Sequence, residues 1–479
     1  MTRSDKTQAM PTLGGPRPTR RQRAILGRSV IGAIVALGLV GAGLFWIDGT
    51  TSTSSAAPDR PNVLIIITDD QRGGLEVMEA TRRFFKDEGT RFMKAFATTP
   101  SCCPSRASIF TGRYAHNHGV TNNENVTRLD HGRTLQRYLQ EEGYTTAIFG
   151  KYLNEFKGER PPYFDSWSVS KGIPEKAYDG AVWNDHGELR KIDQYSTSYI
   201  ADEAVDFVEE AEAADEDPWF MYLTPHAPHR PFVAEARYAD AEVPNWKGNP
   251  AVFERDLSDK PPFVRDRHLP SRNGFVLRRR QLRTLMSVDD LVADVMERLR
   301  ELDEQEDTLV IFMSDNGVHW AEHRLRNKLT PYTQSIVIPL FMRWPGKIEP
   351  GGNDERIAAN IDIAPTVLDA VGMEQVEGMD GRSLLDTSWP RDRILTEFEK
   401  DGDLPYPTWA SIRTRAYQYI EYYAADGNSV RFREYYDLLE DPWQLENLLG
   451  DGDPTNDPNT RRLSRQLAED RACSEEACP

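Results

Sequence analysis

The sequence predicts an α/β protein with a large, mostly parallel central sheet that is flanked by helices. The first observation is a series of short apolar runs without polar alternation, which is typical of strands buried on both faces. The second is that amphipathic helical stretches alternate with these runs, as the crossover connections of a parallel sheet require. In such sheets, ligands bind beyond the carboxyl ends of the strands. The residues that follow each strand are therefore the first functional candidates.

The predicted elements follow one another along the chain as strand and helix. They are a strand at 62–68, a helix at 135–142, a strand at 145–149, a helix at 200–214, a strand at 219–223, a helix at 281–302 and a strand at 308–313. Polar residues follow each of the four strands, namely Asp69-Asp70, Gly150-Lys151, Pro225-His226 and Asp315-Asn316. Because the carboxyl ends of parallel strands share one edge of the sheet, these residues are expected to face a common site.

The composition is that of a globular protein. Of the 479 residues, 39% are hydrophobic and 10% aromatic, which excludes collagen, a coiled coil and general disorder. The formal charge is −18, with 58 basic and 76 acidic residues. Such an acidic chain is a poor candidate for non-specific nucleic-acid binding, so no nucleic-acid partner is expected.

The N-terminus has the charge pattern of an exported protein. Residues 1–28 carry a net charge of +6 and form a basic cytoplasmic region or signal n-region. Residues 29–47 are uncharged and long enough to cross a hydrocarbon core of ~30 Å. This segment is either a transmembrane anchor, which would contact the membrane if uncleaved, or a signal segment cut near Ala56 or Ala57. Residues 48–60 are a linker, and either outcome places the remainder outside the cytoplasm, secreted or anchored at the cell surface.

Four cysteines are too few to form the main scaffold of a chain of this length. Cys102 and Cys103 are adjacent and are not expected to pair with each other. Cys473 and Cys478 lie in the C-terminal acidic tail at 451–479, and the stretch at 450–460 is predicted to be solvated. They could form a small local disulfide or remain two free thiols.

Two pairs of polar residues predict a metal site. Asp69 and Asp70 end one strand, and Asp315 and Asn316 end another, so four oxygen-bearing side chains could converge on one hard divalent cation. The alternative is that Asp69 caps a helix and that Asp315, Asn316 and Gly317 form a turn. The occurrence of both pairs directly after hydrophobic strands favours the metal site.

The most specific motif lies between these pairs. Its residues are Pro100-Ser101-Cys102-Cys103-Pro104-Ser105-Arg106, followed by Thr111-Gly112. Cys102-x-Pro104-Ser105-Arg106 resembles the signature of the type I sulfatases, in which this cysteine is oxidised to formylglycine (3-oxoalanine) by a dedicated formylglycine-generating enzyme. Only this register fits, because a start at Cys103 would put Ser105 where the motif needs proline. Cys103 is therefore interpreted as a packing residue.

The resemblance extends over roughly residues 61–448. It implies the fold of the alkaline phosphatase superfamily, with a sulfatase catalytic domain at 61–390 and a small C-terminal subdomain on an antiparallel sheet at 391–450. Local segments are similar to the branch that holds N-acetylglucosamine-6-sulfatases and extracellular heparan endosulfatases. These segments are Cys102 to Arg106, His116-Asn117-His118, Lys151 to Glu155 and Leu285 to Asp290.

The resemblance also implies roles for individual residues. Residue 102, as hydrated formylglycine, would attack sulfur and ligate the metal. The implied ligands of a single Ca²⁺ ion are Asp69, Asp70, Asp315 and Asn316, with residue 102. Arg106 and Lys151 would orient the hydrated aldehyde. Lys151, His226 and Lys328 would contact the substrate, with His226 protonating the leaving oxygen.

The chain departs from the commoner pattern at one position. Many sulfatases carry a histidine two residues after the lysine, where this chain has Leu153. The base that regenerates the aldehyde must then come from elsewhere, and His116, His118 and His323 are candidates. His229 is interpreted as a structural histidine.

The resulting hypothesis is a sulfuric ester hydrolase that acts on a sulfated carbohydrate, such as glucosamine 6-sulfate, and on aryl sulfates. The net charge of −24 after residue 28 opposes long-range attraction of a polysulfated chain. One alternative is a phosphonate monoester or phosphodiester hydrolase of the same superfamily. Another is a non-catalytic glycan-binding protein at the cell surface.

Overall fold

The computed structural model describes residues 60–154, 156, 160–171, 176–214, 217–373, 376–402 and 404–479. The predicted basic region at 1–28, the apolar segment at 29–47 and all of the linker except residue 60 lie outside the described residues. Within the described part, none of the helices combines the length and the apolar character that a membrane span needs.

Ten helices and sixteen strands make up the regular structure of the described residues. The helices are α1 Glu79–Thr81, α2 Cys102–Thr111, α3 Ala115–His118, α4 Leu135–Glu141, α5 Ser196–Ala214, α6 Pro262–Arg265, α7 Ser271–Glu301, α8 Thr333–Ile336, α9 Ile363–Ala370 and α10 Thr460–Asp470, with short 3₁₀ and π segments between them. The strands are β1 Asn62–Thr68, β2 Thr90–Phe96, β3 Thr145–Gly150, β4 Ser166–Ser170, β5 Val182–Asp185, β6 Glu188–Lys191, β7 Trp219–Thr224, β8 Thr308–Ser314, β9 His319–Trp320, β10 Arg326–Asn327, β11 Leu340–Arg343, β12 Gly352–Ala359, β13 Arg393–Phe398, β14 Trp409–Thr414, β15 Tyr417–Tyr423 and β16 Val430–Asp437.

The central sheet has ten strands in the order β12-β2-β11-β8-β1-β7-β3-β4-β5-β6. Its middle strands, β8, β1, β7, β3 and β4, are mutually parallel, whereas β11, β5 and the edge strand β6 run antiparallel to their neighbours. The prediction of a large, mostly parallel sheet is confirmed.

Strand β1 explains why the apolar runs lack alternation. Val63 and Ile65 pack into a core that includes α2, α4 and α9, whereas Leu64 and Ile66 pack into a second core that includes α5 and α7. All four side chains are fully buried. A strand covered by helices on both faces needs an apolar residue at every position.

Helix α7 begins ten residues before the predicted start at Gln281. The two exposed arginines Arg279 and Arg280 interrupt the apolar pattern there, which hid the first turns of the helix. Pro270 directly precedes the helix, where a fixed φ is compatible with a helix start.

A separate four-stranded antiparallel sheet, β13-β14-β15-β16, follows the central sheet in the chain. This confirms the antiparallel sheet that the resemblance implied for residues 391–450. Its aromatic residues Tyr419 and Tyr436 share a buried cluster with Tyr332 and Ile336, which follow the central strand β8 in sequence. The two sheets therefore pack through a common core.

The C-terminal tail contains more structure than the acidic composition suggested. Residues 450–458 are exposed or nearly so, in agreement with a solvated stretch. From Thr460, however, the chain forms α10, which buries Leu463 and Leu467. Cys473 and Cys478 form a disulfide, which decides between the two alternatives left open above.

Candidate active site

The two acidic pairs meet because their strands are neighbours. Strands β1 and β8 pair in parallel, with Thr68 opposite Ser314, so the residues after them emerge side by side. The Asp70 amide donates to Asp315 Oδ1 at 3.1 Å, and Asn316 Nδ2 donates to Asp70 Oδ1 at 2.7 Å. Asp69, Asp315 and Asn316 are fully buried, and Asp70 is 7% exposed. The predicted convergence of four oxygen-bearing side chains is present.

Cys102 is the first residue of α2 and points at this cluster. Its Sγ lies 3.5 Å from Asp69 Oδ1 and accepts a hydrogen bond from Lys328 Nζ at 2.8 Å. The side chain is buried, and burial, reinforced by the Asp69 carboxylate, raises the pKa of the Cys102 thiol to about 12. The unmodified thiol is therefore protonated at neutral pH and is a weak nucleophile.

Three cations compensate the three carboxylates. Lys151 Nζ donates to Asp69 Oδ2 at 2.6 Å, and Arg106 Nε donates to Asp315 Oδ2 at 3.0 Å. Lys328 Nζ donates to Asp70 Oδ1 and, at 3.1 Å, to Asn316 Oδ1. A second nitrogen of Arg106 donates to the Lys151 carbonyl at 2.9 Å and so ties the two cations together. Buried charges of this kind persist only when they are paired.

The protonation states follow from burial and from these pairs. Burial raises the pKa of Asp69, but Lys151 and His229 outweigh it and hold that pKa well below its usual range. Burial likewise raises the pKa of Asp70, and Lys328 reverses the shift. Burial and the neighbouring Asp69 carboxylate raise the pKa of Asp315. Burial opposes the charged forms of Lys151 and Lys328, yet the carboxylates raise both pKa values.

His226 lies in the loop after β7, as predicted from its position after a strand. Its Nδ1 is 3.7 Å from Asp69 Oδ2, and its Nε2 is 3.0 Å from the Arg230 carbonyl. The ring of Tyr178 packs edge-on against it, with a centroid distance of 5.3 Å. Burial, followed by the nearby His229, lowers the pKa of His226 to about 3, so the ring is neutral in this arrangement.

His229 was interpreted as structural, but it joins the same site. Its Nε2 lies 3.7 Å from Asp70 Oδ2, and its Nδ1 is 2.8 Å from the Arg230 carbonyl. Asp69, Asp70, Cys102 and His229 each offer a ligand atom within 4.8 Å of the others. The sequence feature that could have indicated this position of His229 is its spacing from His226, because the two histidines are three residues apart in one loop after a parallel strand.

The structure gives the three candidate bases other contacts. His116 Nδ1 contacts Glu397 at 2.9 Å, and His118 Nε2 contacts Ser108 Oγ at 3.1 Å. His323 Nδ1 contacts Glu254 Oε2 at 2.6 Å. The contacts of these histidines within the described chain do not reach Cys102. His226 and His229 are the histidines that the structure brings to the cluster.

Leu153, which stands where many sulfatases carry a histidine, and its neighbour Asn154 contact other residues of the protein interior. Leu153 belongs to the core beneath the central sheet, and the amide of Asn154 donates to Cys103 Sγ at 3.2 Å. Cys103 is fully buried, and its own amide donates to Asn123 Oδ1 at 2.9 Å. The interpretation of Cys103 as a packing residue agrees with these contacts.

The donor set of the cluster fits a hard divalent cation. Three buried carboxylates and one amide oxygen are grouped at one edge of the sheet, and such oxygen donors are those that Ca²⁺ prefers. The imidazole of His229 adds one nitrogen to the group.

Two family models match the chain. The sulfatase model matches residues 61–373, and the model of the N-sulphoglucosamine sulphohydrolase C-terminal region matches residues 321–472. The first match spans the central sheet and every residue of the cluster, and the second spans the antiparallel sheet.

The chain is also similar to curated relatives. It is 30% identical over 463 residues to the human N-acetylglucosamine-6-sulfatase, covering 84% of this chain and 83% of that protein. It is 34% identical over 349 residues to an extracellular sulfatase Sulf-1 homolog of Caenorhabditis elegans, covering 68% of this chain. The chain spans about half the length of the latter relative, 48%.

Solved structures share the fold at lower identity. The structure of BT4656 in complex with its substrate D-glucosamine-2-N,6-O-disulfate superposes with a TM-score of 0.75 at 22% identity, covering 86% of this chain and 97% of that one. The phosphonate monoester hydrolase of Agrobacterium radiobacter superposes with a TM-score of 0.67 at 21% identity, covering 85% of this chain and 94% of that one. With the family model matched over most of the chain, the protein belongs to the sulfatase family of sulfuric ester hydrolases.

Proposed function

We propose that this sulfatase hydrolyses sulfate esters of a carbohydrate, such as glucosamine 6-sulfate, with a formylglycine at position 102 and one bound Ca²⁺. The observation that carries the proposal is the contact of Cys102 with both Asp69 and Lys328 inside a buried cluster of three carboxylates and three cations. The names of the relatives, an N-acetylglucosamine-6-sulfatase among them, support a sulfated amino sugar as substrate.

Cys102 is proposed as the site of modification rather than as a nucleophile in its thiol form. Its pKa is raised to about 12, so almost no thiolate exists at neutral pH. Oxidised to formylglycine by a maturation enzyme and hydrated, residue 102 would supply one hydroxyl for attack on sulfur with displacement of the sugar oxygen. Deprotonation of its second hydroxyl would then release sulfate and restore the aldehyde. The start of α2 at this residue provides backbone amides, and these favour negative charge beside it.

The cation is proposed to bind Asp69, Asp70, Asp315 and Asn316, together with residue 102. When bound, Ca²⁺ supplies positive charge that favours the deprotonated hydroxyl and neutralises the sulfate oxygens. Arg106 holds Asp315 in place through its Nε and holds the Lys151 carbonyl through a second nitrogen. His229 lies beside Asp70 and is proposed to orient this carboxylate.

Lys151, Lys328 and His226 are proposed to act on the substrate. The two ammonium groups face the space around residue 102 and would bind the sulfate oxygens, where charge develops as the ester bond breaks. His226 is proposed to give a proton to the departing sugar oxygen. Its lowered pKa keeps the ring neutral in the absence of substrate, so this role requires that the negative charge of the bound sulfate raise the pKa of His226 and protonate the ring.

Export is proposed from two independent observations. The N-terminal pattern of a basic stretch followed by 19 uncharged residues is typical of a signal or an anchor. The relatives named extracellular sulfatases support the same location outside the cytoplasm. The disulfide between Cys473 and Cys478 is compatible with an oxidising compartment.

Peptide mass spectrometry combined with activity assays tests the proposal. The peptide that contains residue 102, from protein made with a formylglycine-generating enzyme, should be lighter by about 18 Da than the cysteine form. The converted protein should hydrolyse an aryl sulfate and glucosamine 6-sulfate, and chelation of Ca²⁺ or the change Cys102→Ala should abolish both activities. Converted, Ca²⁺-loaded protein without sulfatase activity would overturn the proposal.

The alternatives give different results in the same experiment. The phosphonate monoester hydrolase shares this fold, so the fold alone does not separate the two substrate classes. A higher kcat/KM for a phosphonate monoester than for any sulfate ester would replace the sulfatase proposal. Glycan binding without turnover, unchanged in Cys102→Ala, would identify a binding protein instead.

A further inference from the structure

A buried glutamine on α7 contacts three of the segments that carry the candidate active site. Gln281 exposes 2% of its surface. Its Nε2 donates to the Asp70 carbonyl at 3.4 Å and to the Pro228 carbonyl at 3.1 Å. Its Oε1 accepts a hydrogen bond from Trp320 Nε1 at 2.5 Å. Gln281 therefore joins the segment after β1, the loop after β7 and the strand β9, which are far apart in the sequence.

The three partners determine which way the side-chain amide of Gln281 points. A backbone carbonyl only accepts hydrogen bonds, and an indole nitrogen only donates them. The amide nitrogen of Gln281 must therefore face Asp70 and Pro228, with one proton for each carbonyl, and the amide oxygen must face Trp320. An apolar side chain of the same length forms none of these hydrogen bonds. The position thus requires an amide, and not only a side chain of suitable volume.

Two of the contacts fix segments that hold proposed reacting residues. Asp70 has a φ of 69°, a left-handed conformation that is uncommon for a residue with a side chain. Such a residue keeps its conformation only when surrounding contacts hold it, and Gln281 contacts its carbonyl directly. Pro228 follows His226 by two residues and directly precedes His229. A hydrogen bond at the Pro228 carbonyl therefore limits how far either histidine can move.

The third contact leads to Lys328. Strand β9 ends at Trp320 and pairs antiparallel with β10, where Arg326 lies opposite Trp320, and β10 ends one residue before Lys328. Helix α7 also meets β9 at Gly274, which precedes Gln281 by seven residues and so lies on the same face of the helix. A Cβ at Gly274 would lie 1.8 Å from the Trp320 carbonyl oxygen. The helix therefore packs directly against the backbone of the hairpin that precedes Lys328.

We propose that Gln281 is a positioning residue for the sulfatase reaction, because its amide holds Asp70, the His226 loop and the hairpin before Lys328 in one arrangement. This inference rests on the proposed sulfatase function. Gln281 acts through the backbone and the indole of these segments and needs no contact with the substrate. A displacement of reacting groups by about 1 Å can lower a rate by about 10²-fold, so small shifts of the three segments are sufficient for a large effect.

Kinetics and calorimetry on converted enzyme test the positioning role. Gln281→Met keeps the length of the side chain but removes all three hydrogen bonds. It should lower kcat for an aryl sulfate by about 10–100-fold, with KM changed by less than about threefold, because the misplaced groups keep the charges that bind sulfate. The affinity for Ca²⁺, measured by titration calorimetry, should fall by about tenfold, because the backbone of Asp70 is no longer held.

The matched control removes another buried glutamine. Gln444 is fully buried, accepts hydrogen bonds from the amide and hydroxyl of Thr333, and donates to Gln418 at 2.9 Å. Gln444→Met should lower Tm but leave kcat and the Ca²⁺ affinity unchanged.

Trp320→Phe tests the same contact from its other side and replaces only the ring that donates to Gln281. It should lower kcat on its own. In the double variant Gln281→Met/Trp320→Phe, the loss of kcat should be smaller than the product of the two single losses, because both changes break one hydrogen bond. Independent effects would show that the two residues do not act together.

The outcomes separate the positioning role from the proposed function. Wild-type kcat in Gln281→Met, or an equal loss of kcat in Gln444→Met, would overturn the positioning role. Converted wild type that binds Ca²⁺ but turns over no sulfate ester would contradict the proposed function instead. In that case Gln281→Met should still bind Ca²⁺ more weakly than wild type and Gln444→Met, and equal affinities would overturn the positioning role too.

Discussion

At the scale of single residues, Lys328 connects more site components than any other cation of the cluster. It contacts Asp70, Asn316 and Cys102, which come from three different strand or helix ends. Its charge is held in place by the Asp70 carboxylate and, in the proposed function, binds a sulfate oxygen. Such a fixed charge requires no reorganisation during the reaction, which is why one donor of this kind contributes strongly to a rate.

Lys328→Met is expected to lower kcat/KM for an aryl sulfate by about 10²–10³-fold, because it removes one charge that stabilises the transition state. Steady-state kinetics on converted enzyme checks this value. The matched control is Lys260→Met, which removes another buried lysine whose ammonium contacts Asp259 at 2.8 Å. This control should lower stability but leave kcat unchanged. A loss of activity under tenfold in Lys328→Met would exclude the proposed role.

His118 is expected to make stability depend on pH. Burial, followed by His116, lowers its pKa from 6.5 to about 3, so the folded protein binds fewer protons than the unfolded chain. Its contribution to stability is fully present above about pH 6.5 and decreases as pH falls toward 3, by up to about 1.4 kcal/mol per pH unit.

Urea denaturation of wild type and His118→Asn at several pH values measures this contribution. Asparagine can still accept the hydrogen bond that the Val120 amide donates to His118 Nδ1. Between pH 6 and 4 the free energy of unfolding should fall less steeply in the variant than in wild type. His268→Asn, an exposed histidine, should retain the wild-type slope. Parallel curves for wild type and His118→Asn would contradict the assignment.

Some residues of the candidate site could be predicted from the sequence, and others could not. The site positions of Asp69-Asp70 and Asp315-Asn316 could be predicted because each pair directly follows a strand, and neighbouring parallel strands bring their ends together. His229 was missed because a histidine in a loop has no periodic pattern to indicate where it points. The contacts of His116 and His323 with Glu397 and Glu254 arise from distant parts of the chain, so spacing could not reveal them.

At the scale of elements, burial decided which segments could be predicted. Strand β1 was predicted with its observed ends, because both of its faces are covered and the residues from Val63 to Ile67 are all apolar. The start of α7 was not predicted correctly, because the first turns of this helix are partly exposed and carry arginines. Helix α10 was missed for a related reason, since only Leu463, Leu467 and Asp470 of its eleven residues are buried.

Helix α10 is expected to be part of the folded core and not a detachable tail. Leu467 is fully buried in the cluster that also holds Tyr419 and Tyr436. Leu467→Ala should lower the free energy of unfolding by about 2–5 kcal/mol, because it leaves a cavity there. Thermal or urea denaturation measures the change. Arg465→Ala, at an exposed position of the same helix, should remain within about 0.5 kcal/mol of wild type. Equal stabilities of the two variants would show that the helix does not support the fold.

At the scale of the whole molecule, the proposed active site lies at the carboxyl ends of four neighbouring strands of the central sheet, β8, β1, β7 and β3. The cluster takes residues from β1 and β8, from the start of α2, from the ends of β3 and β7, and from the loop after β10. A ligand that binds there contacts segments spread over more than two hundred residues. Binding of such a ligand is therefore coupled to the folding of most of the molecule.

Ca²⁺ is accordingly expected to stabilise the entire folded chain. At a free concentration of about one hundred times Kd, the stabilisation should be about 2.7 kcal/mol, seen as a higher Tm by calorimetry. Chelation should reverse the increase. Asp69→Asn keeps the shape of the side chain but removes one ligand charge, so its Tm should respond much less to Ca²⁺. The same increase in both proteins would place the cation elsewhere.

The burial of residue 102 also has a consequence for how the protein is made. Cys102 exposes only 2% of its surface and begins a helix whose ten residues are all buried. If residue 102 is the proposed formylglycine, its thiol has to be oxidised before this segment folds, because the folded protein leaves it almost no exposed surface. The fraction of active protein in a preparation would then depend on how fast the chain folds relative to the oxidation of residue 102.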